Sequence, residues 1–152
     1  MKIVGWMVLL LAVAVWGIGC HSQKKAKEQN ADTPAVAEEN PASRLHDIWV
    51  LEKMAGMDKL TTTNRPRLEL FPEEGRIAGN ASCNEIFGQM QADAQRLSFS
   101  KVGATKRFCR DLAQQEGLFL SQLEKVDAYT LKGLTLIFLS EGKELMVFRK
   151  VD

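Results

Sequence analysis

The sequence predicts an α+β fold: a small curled or cracked, barrel-like antiparallel sheet packed by one α-helix. Three observations predict it. From residue 47 onward, short runs rich in β-branched and aromatic side chains recur between turn signals, as in small antiparallel sheets. Only over 107–126 does the apolar spacing lengthen to that of a helix. The part of the chain with folding composition, 46–152, is about 107 residues, enough for one domain with a modest core.

The first 45 residues stand outside that domain. Lys2 supplies a short positive start, and Ile3 to Trp16 is an apolar run. Gly17-Ile18-Gly19 then precede Cys20. Small residues ahead of a cleavage point suit a signal peptidase cleft. A Cys directly after them resembles the lipobox of bacterial lipoproteins, with Gly17 where Leu is usual. The resemblance implies that 1–19 is a lipoprotein signal peptide, that the chain is cut before Cys20, and that Cys20 is acylated. Several acyl chains anchor stably where one binds only marginally. The alternative is an uncleaved membrane helix, but Ile3 to Gly19 lies at the bottom of the spanning range and lacks an immediate basic flank. Both readings tether the domain to a membrane, outside the inner leaflet.

Residues 20–45 continue as a lipidated Cys and a polar segment rich in Gln, Lys, Glu, Asn, Ala and Pro. Such a segment buries too little apolar surface to offset its ordering entropy, so it reads as a disordered tether. Position 21 is His rather than Asp. In enteric-type sorting an Asp there would retain a lipoprotein in the inner membrane, so by analogy the expected address is the outer membrane, facing the periplasm.

Within the domain, 47–52 is a first strand, with Ile48, Trp49 and Val50 at its heart. Thr61 to Pro66 is a polar loop. Arg67-Leu68-Glu69-Leu70-Phe71 alternates as a half-buried strand does. Pro72-Glu73-Glu74-Gly75 has turn chemistry, and Arg76 to Gly79 begins the return strand of a hairpin. Cys83 to Gln91 is the next strand, and 96–99 alternates again. Over 107–126, Phe108, Leu112, Phe119, Leu120, Leu123 and Val126 form one helical stripe, broken by Gly117. Further β elements follow at 129–131, at 133–139 (apolar on both faces towards its end) and, after a turn at 141–143, at 144–151.

Two cysteines remain, Cys83 and Cys109. In an exported domain two thiols favour a structural bridge. The rival is a redox pair, for which Lys106, Arg107 and Arg110 could depress the Cys109 pKa. No Cys-x-x-Cys is present.

The ordered set Gly79-Asn80-Ala81-Ser82-Cys83-Asn84, Gly88, Ala104-Thr105-Lys106-Arg107-Phe108-Cys109, then Glu116 with Phe119-Leu120 and Leu123, resembles the META domain family. Trp49-Val50-Leu51 corresponds to its leading Trp-x-Leu. The resemblance runs from Asp47 to about Phe148. Three positions depart from the family pattern. Ser82 stands where it has Gly, Met90 where it has an aromatic, and Ala104 where it has Ser. The resemblance implies an α+β, cracked-barrel domain with no established catalytic group. It also implies a loose link to envelope stress and drug tolerance, and a likeness in shape to pilot lipoproteins of type III secretion.

The residues themselves suggest no enzyme. His46 is the one histidine of the domain, at its edge. No His, Cys or carboxylate spacing gives a metal set, and no phosphate loop or nucleophile elbow occurs. No cofactor is expected. The chain carries 20 Lys+Arg against 19 Asp+Glu, a net of +1, so no basic footprint points to nucleic acid.

The expected role is therefore a non-catalytic binding or accessory module of the envelope. The alternative is a thiol-disulfide or peroxide-handling protein using Cys83 and Cys109. Candidate partners are the membrane, reached through the lipid, and an envelope protein, an apolar peptide or an acyl chain. An apolar ligand would sit between helix and sheet near Phe119, Leu123, Ile137 and Leu139, unless those residues simply fill a packed core. Lys106, Arg107 and Arg110 form a second candidate, an anion site at the helix N-terminus, unless they are a solvated face. Glu116 is expected to pair with a nearby Lys or Arg, and Asn84 to fix a turn.

Overall fold

The structure is a computed structural model, and it describes residues 40–151. The signal segment, Cys20 and most of the tether lie outside the described residues. Eight strands form one antiparallel sheet: β1 (Asp47–Met54), β2 (Arg67–Phe71), β3 (Arg76–Asn80), β4 (Glu85–Ala92), β5 (Leu97–Ala104), β6 (Ala128–Lys132), β7 (Thr135–Ser140) and β8 (Lys143–Lys150). Their order is β5-β4-β3-β2-β1-β8-β7-β6. The helix α1 spans Ala113–Leu123. Among the described residues the α+β class with a single packed α-helix is thus observed.

Alternation sorts the two faces of the sheet. Leu68 and Leu70 of β2, Leu136 and Phe138 of β7, and Met146 and Phe148 of β8 are all buried, while their sequence neighbours turn outward. The β2–β3 hairpin forms where the sequence places it. Pro72–Glu74 makes a 3₁₀ turn, and Gly75 follows at φ 64°, a left-handed conformation that glycine adopts without strain. Arg76 braces the corner, its guanidinium 3.4 Å over the Phe71 ring and 2.5 Å from Glu74. That hydrogen bond holds the Glu74 carboxyl below its usual pKa.

Aromatic contacts show how far the sheet curls. Phe119 of α1 lies 6.3 Å from Phe148 of β8, Phe148 lies 4.8 Å from Phe138 of β7, and Phe138 lies 5.4 Å from Phe99 of β5. β5 is one end of the sheet and β7 is near the other, so the rings can meet only because the sheet wraps around its core. Each such pair contributes about 0.5–1.5 kcal/mol beyond the area it buries.

The curl stops short of a closed barrel. β5 and β6 form no ladder, and a single bridge between Arg96 and Ala128 links their ends. The Tyr129 N–H donates to the Gln95 carbonyl at 3.1 Å, and the Leu97 N–H to the Asp127 carbonyl at 3.3 Å. The turn feeding this seam is held by Asp93, whose Oδ1 accepts the Gln95 and Arg96 N–H groups. Those bonds keep its carboxyl below the usual range.

Several boundaries differ from the sequence expectation: β4 begins at Glu85 rather than Cys83, and β5 runs on to Ala104 rather than ending at 99. The helix begins at Ala113 rather than 107 and ends at Leu123 rather than 126. Residues 105–109 carry no regular structure, and Phe108, expected in the helical stripe, is 83% exposed. The domain also starts before 46. Pro41–Leu45 form a 3₁₀ turn with Ala42 and Leu45 fully buried, and the Leu45 carbonyl accepts the Trp49 indole N–H at 2.9 Å. A buried indole needs such a partner, so the end of the polar segment is recruited to supply it.

Candidate functional site

The chemistry-bearing residues gather at one end of the sheet. There the β3–β4 connection (81–84) meets the extended stretch 105–109 and the first turn of α1. Cys83 and Cys109 are joined in a disulfide, with Cα atoms 6.1 Å apart, inside the usual span for a bridge. The bridge gives the physical reason for the late helix start: Cys109 must reach across to β4, so the chain before it stays extended.

Asn84 organises the junction. Its side chain is almost fully buried and every polar atom is used. Nδ2 donates to the Arg107 carbonyl at 3.1 Å and to Glu116 Oε1 at 2.6 Å. Oδ1 accepts the Arg107 N–H at 2.7 Å and the Thr105 hydroxyl at 2.8 Å. Thr105 Oγ1 in turn accepts the Glu85 N–H at 3.2 Å. Asn84 therefore does more than fix a turn. It pairs with the backbone of 107 as a strand neighbour would, where the sheet has ended.

Glu116 reaches back from the first turn of α1. Its Oε2 accepts the N–H groups of Cys83 at 3.0 Å and Asn84 at 2.9 Å. No Lys or Arg pairs with it among the described residues, contrary to the sequence expectation. The two successive amides take the place of a cation. Placing a carboxylate in the first turn also suits the helix dipole. Removing it strands two backbone donors and the Asn84 amide. Glu116→Ala is therefore expected to lower stability by roughly 2–3 kcal/mol, and Glu116→Gln by less because an amide oxygen still accepts, as read from urea unfolding.

Ser82, the departure from the family's Gly, sits at φ 112°, a conformation that favours glycine. Its N–H donates to Asn80 Oδ1 at 2.8 Å, and its Oγ accepts from Gln115 Nε2 at 2.7 Å. Gln115 also takes the Thr61 N–H on its Oε1 at 2.7 Å, so the helix ties the β1–β2 loop to this corner. These bonds hold the serine in a backbone shape it would otherwise avoid.

Against the corner lies an open hollow of about 470 Å³. Its walls come from the β1–β2 loop (Thr63, Asn64, Arg65), the β2–β3 ladder end (Arg67, Asn80), the bridge region (Ser82, Cys83, Cys109) and Arg107 with Leu112. None of these side chains is acidic. Arg107 is fixed there by a hydrogen bond from its guanidinium to the Cys83 carbonyl.

The residues singled out from the sequence divide as follows. Cys20 lies outside the described residues. Cys83 and Cys109 come together. Lys106, Arg107 and Arg110 are exposed but precede α1, so they do not form a helix N-terminus. Of the three only Arg107 lines the hollow.

Phe119 and Leu123 are fully buried among core side chains, whereas Ile137 and Leu139 alternate with buried Leu136 and Phe138 and lie on the other face of β7. The four share no groove between helix and sheet. That space is filled by packed side chains, Phe148 and Phe138 foremost. Sequence reasoning missed Arg65, Arg67 and Gln115. Arg65-Pro66-Arg67, two cations flanking a rigid residue just before a strand, was the one available signal.

Comparison with known proteins agrees with this architecture. Among solved structures, the chain is similar to a protein from Burkholderia xenovorans determined by NMR, at 25% identity and a TM-score of 0.56, covering 81% of this chain and 97% of that one. It is also similar in fold to a DUF4847 family protein from Bacteroides vulgatus determined by crystallography, at 16% identity and a TM-score of 0.51, covering 71% of this chain and 96% of that one. No curated protein matches it. The sequence profile of the META domain matches residues 43–152, and the chain belongs to the META domain family.

Proposed function

We propose that this chain is an exported lipoprotein, cut before Cys20 and acylated there, whose META domain serves as a non-catalytic accessory module of the cell envelope. Its place is the outer membrane, facing the periplasm, and its working contact is an envelope protein, with envelope stress as the setting. The observation that carries this reading is the Cys83–Cys109 bridge. Disulfides persist in oxidising compartments, and a bridge in the folded domain agrees with an export signal ahead of it.

The bridge has the features of a structural crosslink. Cys83 is buried, its N–H is held by Glu116, and its sulfur lies 3.7 Å from the Arg107 carbonyl. Among the described residues neither sulfur has a histidine partner. No specific observation favours the thiol-disulfide alternative.

The test is processing in a bacterial host. Mass spectrometry should find the mature N-terminus at Cys20 with acyl mass attached. Blocking the lipoprotein signal peptidase with globomycin, or introducing Cys20→Ser, should leave the uncut precursor in the membrane. A mature N-terminus elsewhere, with no acyl mass, would falsify the anchor.

A further inference from the structure

We infer that the hollow beside the disulfide is a binding site for a phosphate-bearing anion, held by Arg65, Arg67 and Arg107. The first ground is charge. Three arginines line one concavity whose ten lining residues include no carboxylate. Among the described residues, the Arg65 and Arg67 side chains have no ion pair or hydrogen bond. Of the acids beside it, Glu116 already accepts three hydrogen bonds from Cys83 and Asn84, Glu85 accepts one from Asn80 at 3.4 Å, and neither pairs with an arginine. Like charges gathered without a counter-charge repel each other, and a ligand of opposite sign relieves that repulsion.

The second ground is rigidity. Arg67 opens β2 and pairs in register with Asn80. Arg107 is pinned at its backbone by Asn84 and at its guanidinium by the Cys83 carbonyl. Two of the three cations thus stand on fixed backbone, and the Arg107 guanidinium is itself held, so a ligand has only the Arg65 and Arg67 side chains to order. The third ground is the chemistry of the fork. Guanidinium groups present paired donors that match phosphate oxygens, and three of them can hold the several oxygens of a phosphate where a carboxylate offers only two. The volume of about 470 Å³ exceeds what a bare ion needs and lies in the range of small-molecule sites.

A phosphate could reach the hollow on a soluble molecule or on a lipid headgroup. Phe108, 83% exposed between the lining residues Arg107 and Cys109, would touch acyl chains only in the second case. The inference does not depend on lipidation, because an unacylated chain would present the same hollow.

Equilibrium dialysis of the full chain in a non-ionic detergent tests it, with radiolabelled pyrophosphate as one probe and short-chain phosphatidylglycerol as the other. Saturable binding of either probe is expected, weakening as salt rises. Arg65→Gln combined with Arg67→Gln, which touches no hydrogen bond of the Asn84 junction, should weaken it roughly tenfold or more. Lys143→Gln, at the start of β8 and outside the lining of the hollow, should leave it unchanged. If the lipid is the ligand, Phe108→Ser weakens the phosphatidylglycerol arm and spares pyrophosphate. If the ligand is soluble, pyrophosphate binds and the lipid adds nothing. Absence of saturable binding for both probes overturns the proposal, as does an equal loss in Lys143→Gln.

Discussion

Removing either sulfur of the Cys83–Cys109 bridge is expected to destabilise the domain by about 3.5 kcal/mol, the chain-entropy value for a loop of this length. The two cysteines are 26 residues apart in sequence, and the loop they close holds β4, β5 and the extended approach to α1. Cys83→Ser and Cys109→Ser should cost similar amounts, since each opens the same loop. The double variant should be no worse than either single one, because one crosslink is lost in all three. Urea unfolding of the four proteins, oxidised and reduced, reads the result. Losses that add would mean that each side chain matters for its own packing and that the bridge contributes little. The loss should also reach the hollow. Arg107 lies two residues before Cys109, and two of the hollow's walls are the bridged residues themselves.

How much of this was legible before any coordinates depends on how far apart the cooperating residues lie. Local patterns were readable. Arg67-Leu68-Glu69-Leu70-Phe71 alternates because one face of β2 is buried, and Pro72 to Gly75 turns the chain because those residues prefer turn geometry. The bridge was readable as the favoured pairing of two thiols in a chain expected to be exported.

The helix boundary was not. Phe108 and Leu112 sit at helical spacing from the later stripe, but Cys109 must bond Cys83, and that long-range constraint overrides the local period. The same limit hid the partners of Glu116. A carboxylate in the first turn of a helix suggests a cation nearby, whereas the donors are two backbone amides 32 and 33 residues upstream. The hollow needs Arg65, Arg67 and Arg107 together, and only the β2–β3 pairing and the Asn84 junction bring the third to the first two. The supposed groove failed for a different reason. Residues 136–139 are apolar on both faces, which says that both faces are partly covered, not which face meets the helix.

The sharpest test of the junction is Asn84→Asp, nearly equal in volume and opposite in consequence to a conservative change. The side chain loses both donors that now serve the Arg107 carbonyl and Glu116 Oε1. In their place an ionised oxygen faces the Glu116 carboxylate across a contact of 2.6 Å, at a position almost closed to water. Two carboxylates that close cannot both stay ionised without large repulsion. At pH 7 the variant should lose roughly 3–5 kcal/mol, as much as or more than Asn84→Ala, which leaves its partners unpaired but adds no charge.

Acid separates the two variants. In folded Asn84→Asp the carboxyl pair holds a shared proton more tightly than in the unfolded chain, so its apparent pKa is raised above the ordinary carboxylate value of about 4. A raised folded-state pKa contributes stability that is fully present below the unfolded value and is lost as pH rises through the folded one. The deficit of Asn84→Asp relative to the parent should therefore shrink as pH falls from 7 towards about 4, while that of Asn84→Ala has no such term. Unfolding midpoints at a series of pH values decide the matter. Parallel curves for the two variants would mean that Glu116 swings away from the introduced charge, and that the carboxylate is not held against the β3–β4 connection as tightly as its three hydrogen bonds indicate.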